Sequence, residues 1–222
     1  YGLGELVDCS FPSMVSGSEA IVSTSVAEGF GLGFLEPWTF GKSLCGRNLQ
    51  EITSDFSEHG VQLDNLYNRL EVDLELLPDP TTLFQRIKTA LTNFFHDYGE
   101  VLPSGASQEA YESFVIENQV DFGRIDEPLQ QEVIRAVMNS EEASAAIRTQ
   151  SAITSLPRNR IEMNARAVQE NFSMDAYGTK LIQIYQDLIR MPSSDGKVGF
   201  AKGRNLLKQF LSPSRLNLLR TD

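Results

Sequence analysis

The sequence predicts an incomplete α/β unit: few parallel strands, a largely helical insertion, and closing helices at the carboxyl-terminal end. Three observations carry this expectation. Ala20-Ile21-Val22-Ser23-Thr24 is a short apolar, β-branched run of the kind that forms a buried strand. It leads through Gly29 and Gly31 into Leu32, Leu35, Trp38 and Phe40, which recur at roughly helical spacing. Near the other end, residues 158–171 and 175–190 keep a helical period with no internal proline.

Taken in order, residues 1–10 are too short a fragment to interpret. They lack an initiator Met, a basic n-region and an apolar h-region, so they read as a cut inside a larger protein and not as a signal peptide. Residues 11–20 form a short helix before the strand. Pro37 constrains the helix after the glycine turn, because an interior proline costs ~3 kcal/mol outside the first turn. That helix must begin near Phe34, or begin at Leu32 and kink. Leu49, Ile52 and Phe56 mark an amphipathic helix over 49–59, closed by Gly60.

Residues 66–72 alternate weakly, as a strand would. Pro78 and Pro80 break the chain, and Thr81 or Thr82 caps a helix running to about Asp97. Pro103-Ser104-Gly105 is a loop, 108–118 is helical, and Val120-Asp121-Phe122 is extended. Asp126 with Pro128 starts a helix toward Met138. Pro192 to Gly196 is a linker, and Leu206, Leu207, Phe210 and Leu211 form the apolar face of a last helix. The expected partition is therefore a strand–turn–helix part over 1–60, a mostly helical insertion over 61–156, and closing helices with a basic tail over 157–222.

The chemistry concentrates in residues 25–36. A strand, a glycine turn and a helix in that order leave backbone N–H groups and a positive dipole end exposed, which seats a phosphate or another anion. The turn glycines let the backbone approach a ligand closely. Glu28 precedes the turn and Glu36 follows it, with seven residues between. Ionised carboxylates only accept hydrogen bonds, so beside a phosphate seat their natural partners are sugar hydroxyls. Phosphate donors and diol acceptors on one segment suit a nucleotide sugar.

These residues resemble the Glu-seven-Glu signature of the retaining, nucleotide-sugar-dependent glycosyltransferases of the two-domain GT-B architecture, in particular the large group 1 family. Ser25 three before Glu28, Gly29-Phe30-Gly31-Leu32 after it, and Gly41 five after Glu36 follow the family pattern. So does a strand-like 43–46. Glu51 stands where the family has a Pro-Glu pair; Gln50 replaces that proline, and Pro37 replaces the usual alanine. Asn164, Val168, Phe172-Ser173, Tyr177, Leu181 and Ile184-Tyr185 fall on the pattern of the family's closing helices.

The resemblance implies a Rossmann-like donor-binding domain and transfer of a sugar from a nucleoside diphosphate with retention of configuration. Glu36 would accept from the ribose hydroxyls, and Glu28, the catalytic candidate, would contact the donor sugar. The amides around Gly29, Phe30, Gly31 and Leu32, with Ser25 alongside, would hold sugar and diphosphate, so that stabilising the departing diphosphate is the main catalytic term. The family's diphosphate-neutralising Arg and Lys, and its amino-terminal acceptor-binding domain, have no counterpart here. The expectation is a piece of an enzyme that is inactive alone, with the nucleotide sugar as substrate and no cofactor.

Composition narrows the alternatives. A net charge of −11 over 222 residues opposes a nucleic-acid partner, and 41% hydrophobic content suffices for a real core. Absence of a long apolar run excludes a spanning helix, and Cys9 and Cys45 read as reduced thiols of a cytoplasmic protein. Lys197, Lys202, Arg204 and Lys208, with Arg215 and Arg220, form either a surface for anionic lipid or an acidic partner, which would make the protein membrane-associated, or a solvated tail. His59 and His96 read as surface residues, Phe34 and Trp38 as core, and no metal site is visible. Two other classes stay open. One is a dinucleotide-binding enzyme, although Gly29-x-Gly31-x-Gly33 lacks the required Gly-x-Gly-x-x-Gly spacing and only Glu51 suits a ribose acid. The other is a non-catalytic, Rossmann-like interaction domain.

Overall fold

The computed structural model describes residues 10–151, 155–191 and 203–221. The chain divides into two compact units, one drawn from residues 1–68 and 152–196, the other from 69–151 and 197–222. Both mix helix and strand.

The first unit opens with α1 (Phe11–Gly17), capped by the Ser10 hydroxyl, which accepts from the Ser13 amide. The Lys42 ammonium closes its other end, donating at 2.7 Å to the carbonyls of Ser16 and Ser18. Strands β1 (Ala20–Ser23) and β2 (Ser43–Gly46) pair in parallel, with Ala20 opposite Ser43 and Ser23 opposite Gly46. The expected strand is present, but only half-buried. All four residues of β2 are buried, whereas in β1 Val22 is exposed and the other three are half-buried. At Gly46, φ is +103° and a Cβ would collide with the Ser23 carbonyl, so only glycine keeps the two strand ends this close.

Between the strands the chain makes a 3₁₀ turn (Leu32–Phe34) and then one turn of α-helix, α2 (Glu36–Thr39), with Pro37 in its first turn. At the second helical position the proline breaks no bond, and the helix begins at Glu36. The Trp38 indole donates to the Phe34 carbonyl at 2.8 Å, and both side chains are buried, as the sequence predicts. Helix α3 (Gln50–Glu58) follows β2 and ends at Gly60, whose φ is +90°.

The second unit has an antiparallel sheet in the order β3–β5–β4, from Glu71–Asp73, Gln119–Asp121 and Val115–Ile116. Two residues, Glu117 and Asn118, join β4 to β5 with φ of 51° and 63°, the paired positive values of a tight hairpin. The expected helix over 108–118 is therefore shorter, α5 (Ala106–Phe114), and gives way to this hairpin. The long helix α4 (Pro80–Asp97) stacks Leu83, Ile87, Leu91 and Phe95 at four-residue steps into the core. Its cap is Asp79 and not Thr81 or Thr82. Asp79 accepts from the Thr81 amide and hydroxyl, both at 2.8 Å, because a carboxylate two residues upstream reaches the free N–H groups.

Asp126 caps α6 (Glu127–Met138) as expected, and Ser140 caps a further helix, α7 (Glu141–Gln150). The Gln150 amide both accepts from and donates to the backbone of Glu71, tying down β3. The carboxyl-terminal helix (Gly203–Phe210) leads to Leu211, Leu216 and Leu218, which lie in this core. Arg124 holds that segment, donating to the Leu216 carbonyl at 2.8 Å while stacking over Phe114. Residues 211–218 are thus packed chain and no solvated tail. Of the apolar face expected on the last helix, Leu211 is buried, whereas Leu206 and Phe210 are exposed.

The first unit is completed by α8 (Arg158–Phe172) and α9 (Met174–Arg190). Phe172 meets Phe56 edge-on at 5.2 Å, and Ser173 caps α9. Asn164 is fully buried and its amide pairs with both backbone groups of Gln62, at 2.9 Å each way. Val168 joins Phe34, Leu35, Trp38, Leu44, Phe56 and Val61 in the core of this unit.

Candidate functional site

The loop after β1 leaves the strand at its carboxyl end, the side on which parallel α/β sheets bind ligands. Ser25 stands two residues past the strand, and its hydroxyl donates to the Glu28 carboxylate at 2.7 Å. Glu28, Gly29 and Phe30 are exposed, Phe30 to 87%. Leu32 and Gly33 are exposed as well. Glu36 is exposed in the first turn of α2, and its carboxylate has no partner among the described residues. The two acids and the glycine turn therefore share one solvent-facing segment. One acid is oriented by a hydroxyl; the other is free to accept.

The glycines divide by task. Gly31 is buried at φ +71°, and a Cβ on it would collide with the Ile52 side chain and press on the Phe56 ring. Its first duty is packing against α3, which sequence alone does not show. Gly29 and Gly33 have open space where a Cβ would be. Any close approach by a ligand is left to them. Because Gly31 rests on Ile52, the helix that carries Gln50 and Glu51 in its first turn packs against the glycine turn.

The electrostatics differ from those of a long helix. Helix α2 has four residues, so its summed dipole is small, and an anion here would rely on individual loop amides. One cation beside the loop belongs to no motif. Arg47 directly follows β2, and its amide donates to the Ser23 carbonyl at 2.8 Å, which sets it at the same strand ends as the loop. Its signal was position alone, a basic residue at the end of a glycine-terminated strand.

Other candidates fall outside this segment. The His59 ring lies 2.7 Å from the Asp55 carbonyl and edge-on to Phe172, and His96 is exposed on α4. Cys45 is buried, and Cys9 lies outside the described residues. So do Lys197 and Lys202 and the side chain of Arg204; Lys208 is exposed. Among the described residues no three His, Cys, Asp or Glu side chains gather as a metal site, and no helix is long and apolar enough to cross a membrane.

A separate cleft of about 420 Å³ opens in the second unit, lined by Thr82, Arg86, Thr89, Asn93, Asp126 and Thr221 among others. There Arg86 donates to Asp126 at 2.5 Å, while the other Asp126 oxygen caps α6. This ion pair is accounted for by the cap.

The chain matches no protein-family model, no curated protein and no solved structure.

Proposed function

We propose that the chain is the nucleotide-sugar-binding part of a retaining glycosyltransferase with a Rossmann-like donor domain. The observation that supports this most is the pair of exposed acids on the segment that follows β1, Glu28 in the loop and Glu36 at the start of α2. Ser25 orients Glu28, and the Glu36 carboxylate has no partner among the described residues. In this reading Glu36 accepts from the ribose diol and Glu28 from the donor sugar. The amides around Gly29 hold the diphosphate, and charge developing on that leaving group is stabilised there. The acceptor domain and further basic residues would come from other sequence.

A dinucleotide site has less support. No acid stands at the end of β2, where Gly46 and Arg47 are found, and Glu51 lies farther on, in α3. A non-catalytic interaction domain is the second reading. Phe30 favours it, since an aromatic ring so exposed beside the candidate site also suits contact with a protein.

Calorimetry with a nucleoside diphosphate and with its sugar derivative separates these readings. Glu36→Gln is expected to weaken both ligands about ten- to a hundredfold, because hydrogen bonds to charged groups contribute ~1.5–3 kcal/mol. Glu28→Gln is expected to weaken only the sugar derivative. Equal losses for both ligands in Glu28→Gln would remove its sugar contact. No loss in Glu36→Gln would remove the ribose contact and favour the interaction domain.

A further inference from the structure

Helix α9 has no buried residue, yet it carries a continuous apolar stripe. Met174, Tyr177, Leu181, Ile184, Leu188 and Met191 follow one another at alternating steps of three and four, which puts them on one seam of the helix. All but Leu181 are more than half exposed, and Leu181 is half-buried. Tyr185 adjoins the seam, and Ile182 and Ile189 broaden it to about half the helix surface. Water gains nothing from such a face, and a stripe of this size on a helix marks a contact surface.

We propose that this face docks a second copy of the same chain, with the two α9 helices antiparallel about a twofold axis. The proposal is independent of the transferase reading. Its support is self-complementarity. When identical helices run antiparallel with Leu181 opposite the partner's Ile184, the same register places Tyr177 opposite the partner's Leu188 and Met174 opposite the partner's Met191. Every apolar layer is then filled.

The residues beside the seam agree with that register. Lys180 comes beside the partner's Asp187, and by symmetry Asp187 beside the partner's Lys180, two ion pairs of opposite sign. On the other side Tyr185 comes over the partner's Gly178, where a side-chain carbon would meet nothing within 4 Å. A parallel pair would set Lys180 beside the partner's Tyr185 and form neither ion pair. Within one chain both charges are exposed. The Lys180 ammonium is 3.4 Å from the Asn171 carbonyl, and Asp187 accepts from the Gln183 amide at 3.0 Å and lies 3.8 Å from Arg190. Since α8 packs on α9 in each copy, two copies meeting this way bring four helices together, and the breadth given by Ile182 and Ile189 suits that arrangement.

The test is analytical ultracentrifugation of the whole 222-residue chain over a concentration series. A reversible monomer–dimer equilibrium is expected. Ile184→Glu, at a solvent-exposed position, should keep the circular dichroism spectrum and abolish the dimer. Lys180→Asp and Asp187→Lys should each weaken association about five- to tenfold, since each places like charges together twice. An equimolar mixture of these two variants should recover the parental affinity, because each then meets an opposite charge. A chain that stays monomeric throughout overturns the proposal, and so does an Ile184→Glu variant that associates like the parent. A mixture no tighter than either variant alone overturns the antiparallel register.

Discussion

The two units use similar amounts of chain and finish their structure differently. In the second unit the hydrophobic residues of α4 meet those of α5, α6 and the closing segment, and the edge of β3 is held by Gln150. In the first unit the sheet has two strands, and Val22 on β1, Phe30, Leu32 and the stripe of α9 lie exposed. The contrast lies between the buried packing of α4 and the open apolar stripe of α9, and substitutions can break or sharpen it.

The largest effect is expected at Ile87, fully buried on α4. Ile87→Ala should cost about 2–5 kcal/mol in denaturant unfolding, the lost transfer energy plus the cavity. An equal truncation on the open face, Ile189→Ala, should stay within about 0.5 kcal/mol at a dilution where the single chain predominates. Comparable losses at the two positions at that dilution would mean that the exposed stripe is covered within one folded chain, and the contrast would fail.

The glycine turn gives the next effect. Gly31→Ala places a non-glycine residue at φ +71°, which costs about 1–3 kcal/mol from the backbone, and the collision with Ile52 adds to it. Gly29→Ala has open space and should change stability by less than about 0.5 kcal/mol while weakening a bound diphosphate. Thermal unfolding of both variants, with the calorimetry above, distinguishes a packing glycine from a binding one. If Gly29→Ala alters neither stability nor binding, the seat has no role for it.

What was legible in the sequence was local. The strand run at Ala20, the Asp126 cap, the Pro37 constraint and the periods of α8 and α9 rest on contacts a few residues apart, and the structure has them. What was missed is mostly non-local. That Gly31 packs on Ile52, that Gln150 holds Glu71, and that residues 211–218 enter a core are contacts over long sequence separations, which leave no periodic mark. The hairpin at Glu117-Asn118 was hidden for another reason. It lacks the Asn-Gly or Asp-Gly pair that ordinarily announces such a turn, and Glu117 takes a left-handed φ without glycine. In the candidate site the acids and the turn were readable from spacing, but the shortness of α2 and the position of Arg47 were not.

Asn164 tests whether the first unit, for all its open surface, has a firm centre. Its side chain replaces a strand partner for Gln62, and removing it leaves an N–H and a C=O without their partner. Asn164→Ala is expected to cost about 1–3 kcal/mol, and Asn164→Asp should cost more at neutral pH than in acid. A carboxylate still accepts from the Gln62 amide but repels the Gln62 carbonyl, and protonation restores a donor. Hydrogen exchange at the Gln62 amide reads this contact directly; unchanged protection in Asn164→Ala would show that the pairing contributes nothing.

The smallest effect is set by pH in the second unit. The Thr81 hydroxyl, and after it the Thr81 amide, hold the Asp79 carboxyl below the ordinary aspartate value of 3.8. A carboxylate whose pKa is lower in the folded state stabilises the fold at pH above its unfolded pKa. That contribution is lost as pH falls through the folded value. Asp79 is fully exposed, so solvent screens the interaction and the shift in Tm should be small. Asp79→Asn retains a capping oxygen and removes the charge. It should therefore lower Tm slightly at neutral pH, and the difference from the parent should shrink to nothing as pH drops well below 3.8. Thr81→Val removes the hydroxyl but keeps the amide, so it should raise the Asp79 pKa part of the way, which carbon-detected titration of the carboxyl would register. A Tm difference for Asp79→Asn that persists unchanged into acid would mean that the lost charge is not its origin, and that the cap at α4 works through the geometry of its oxygen alone.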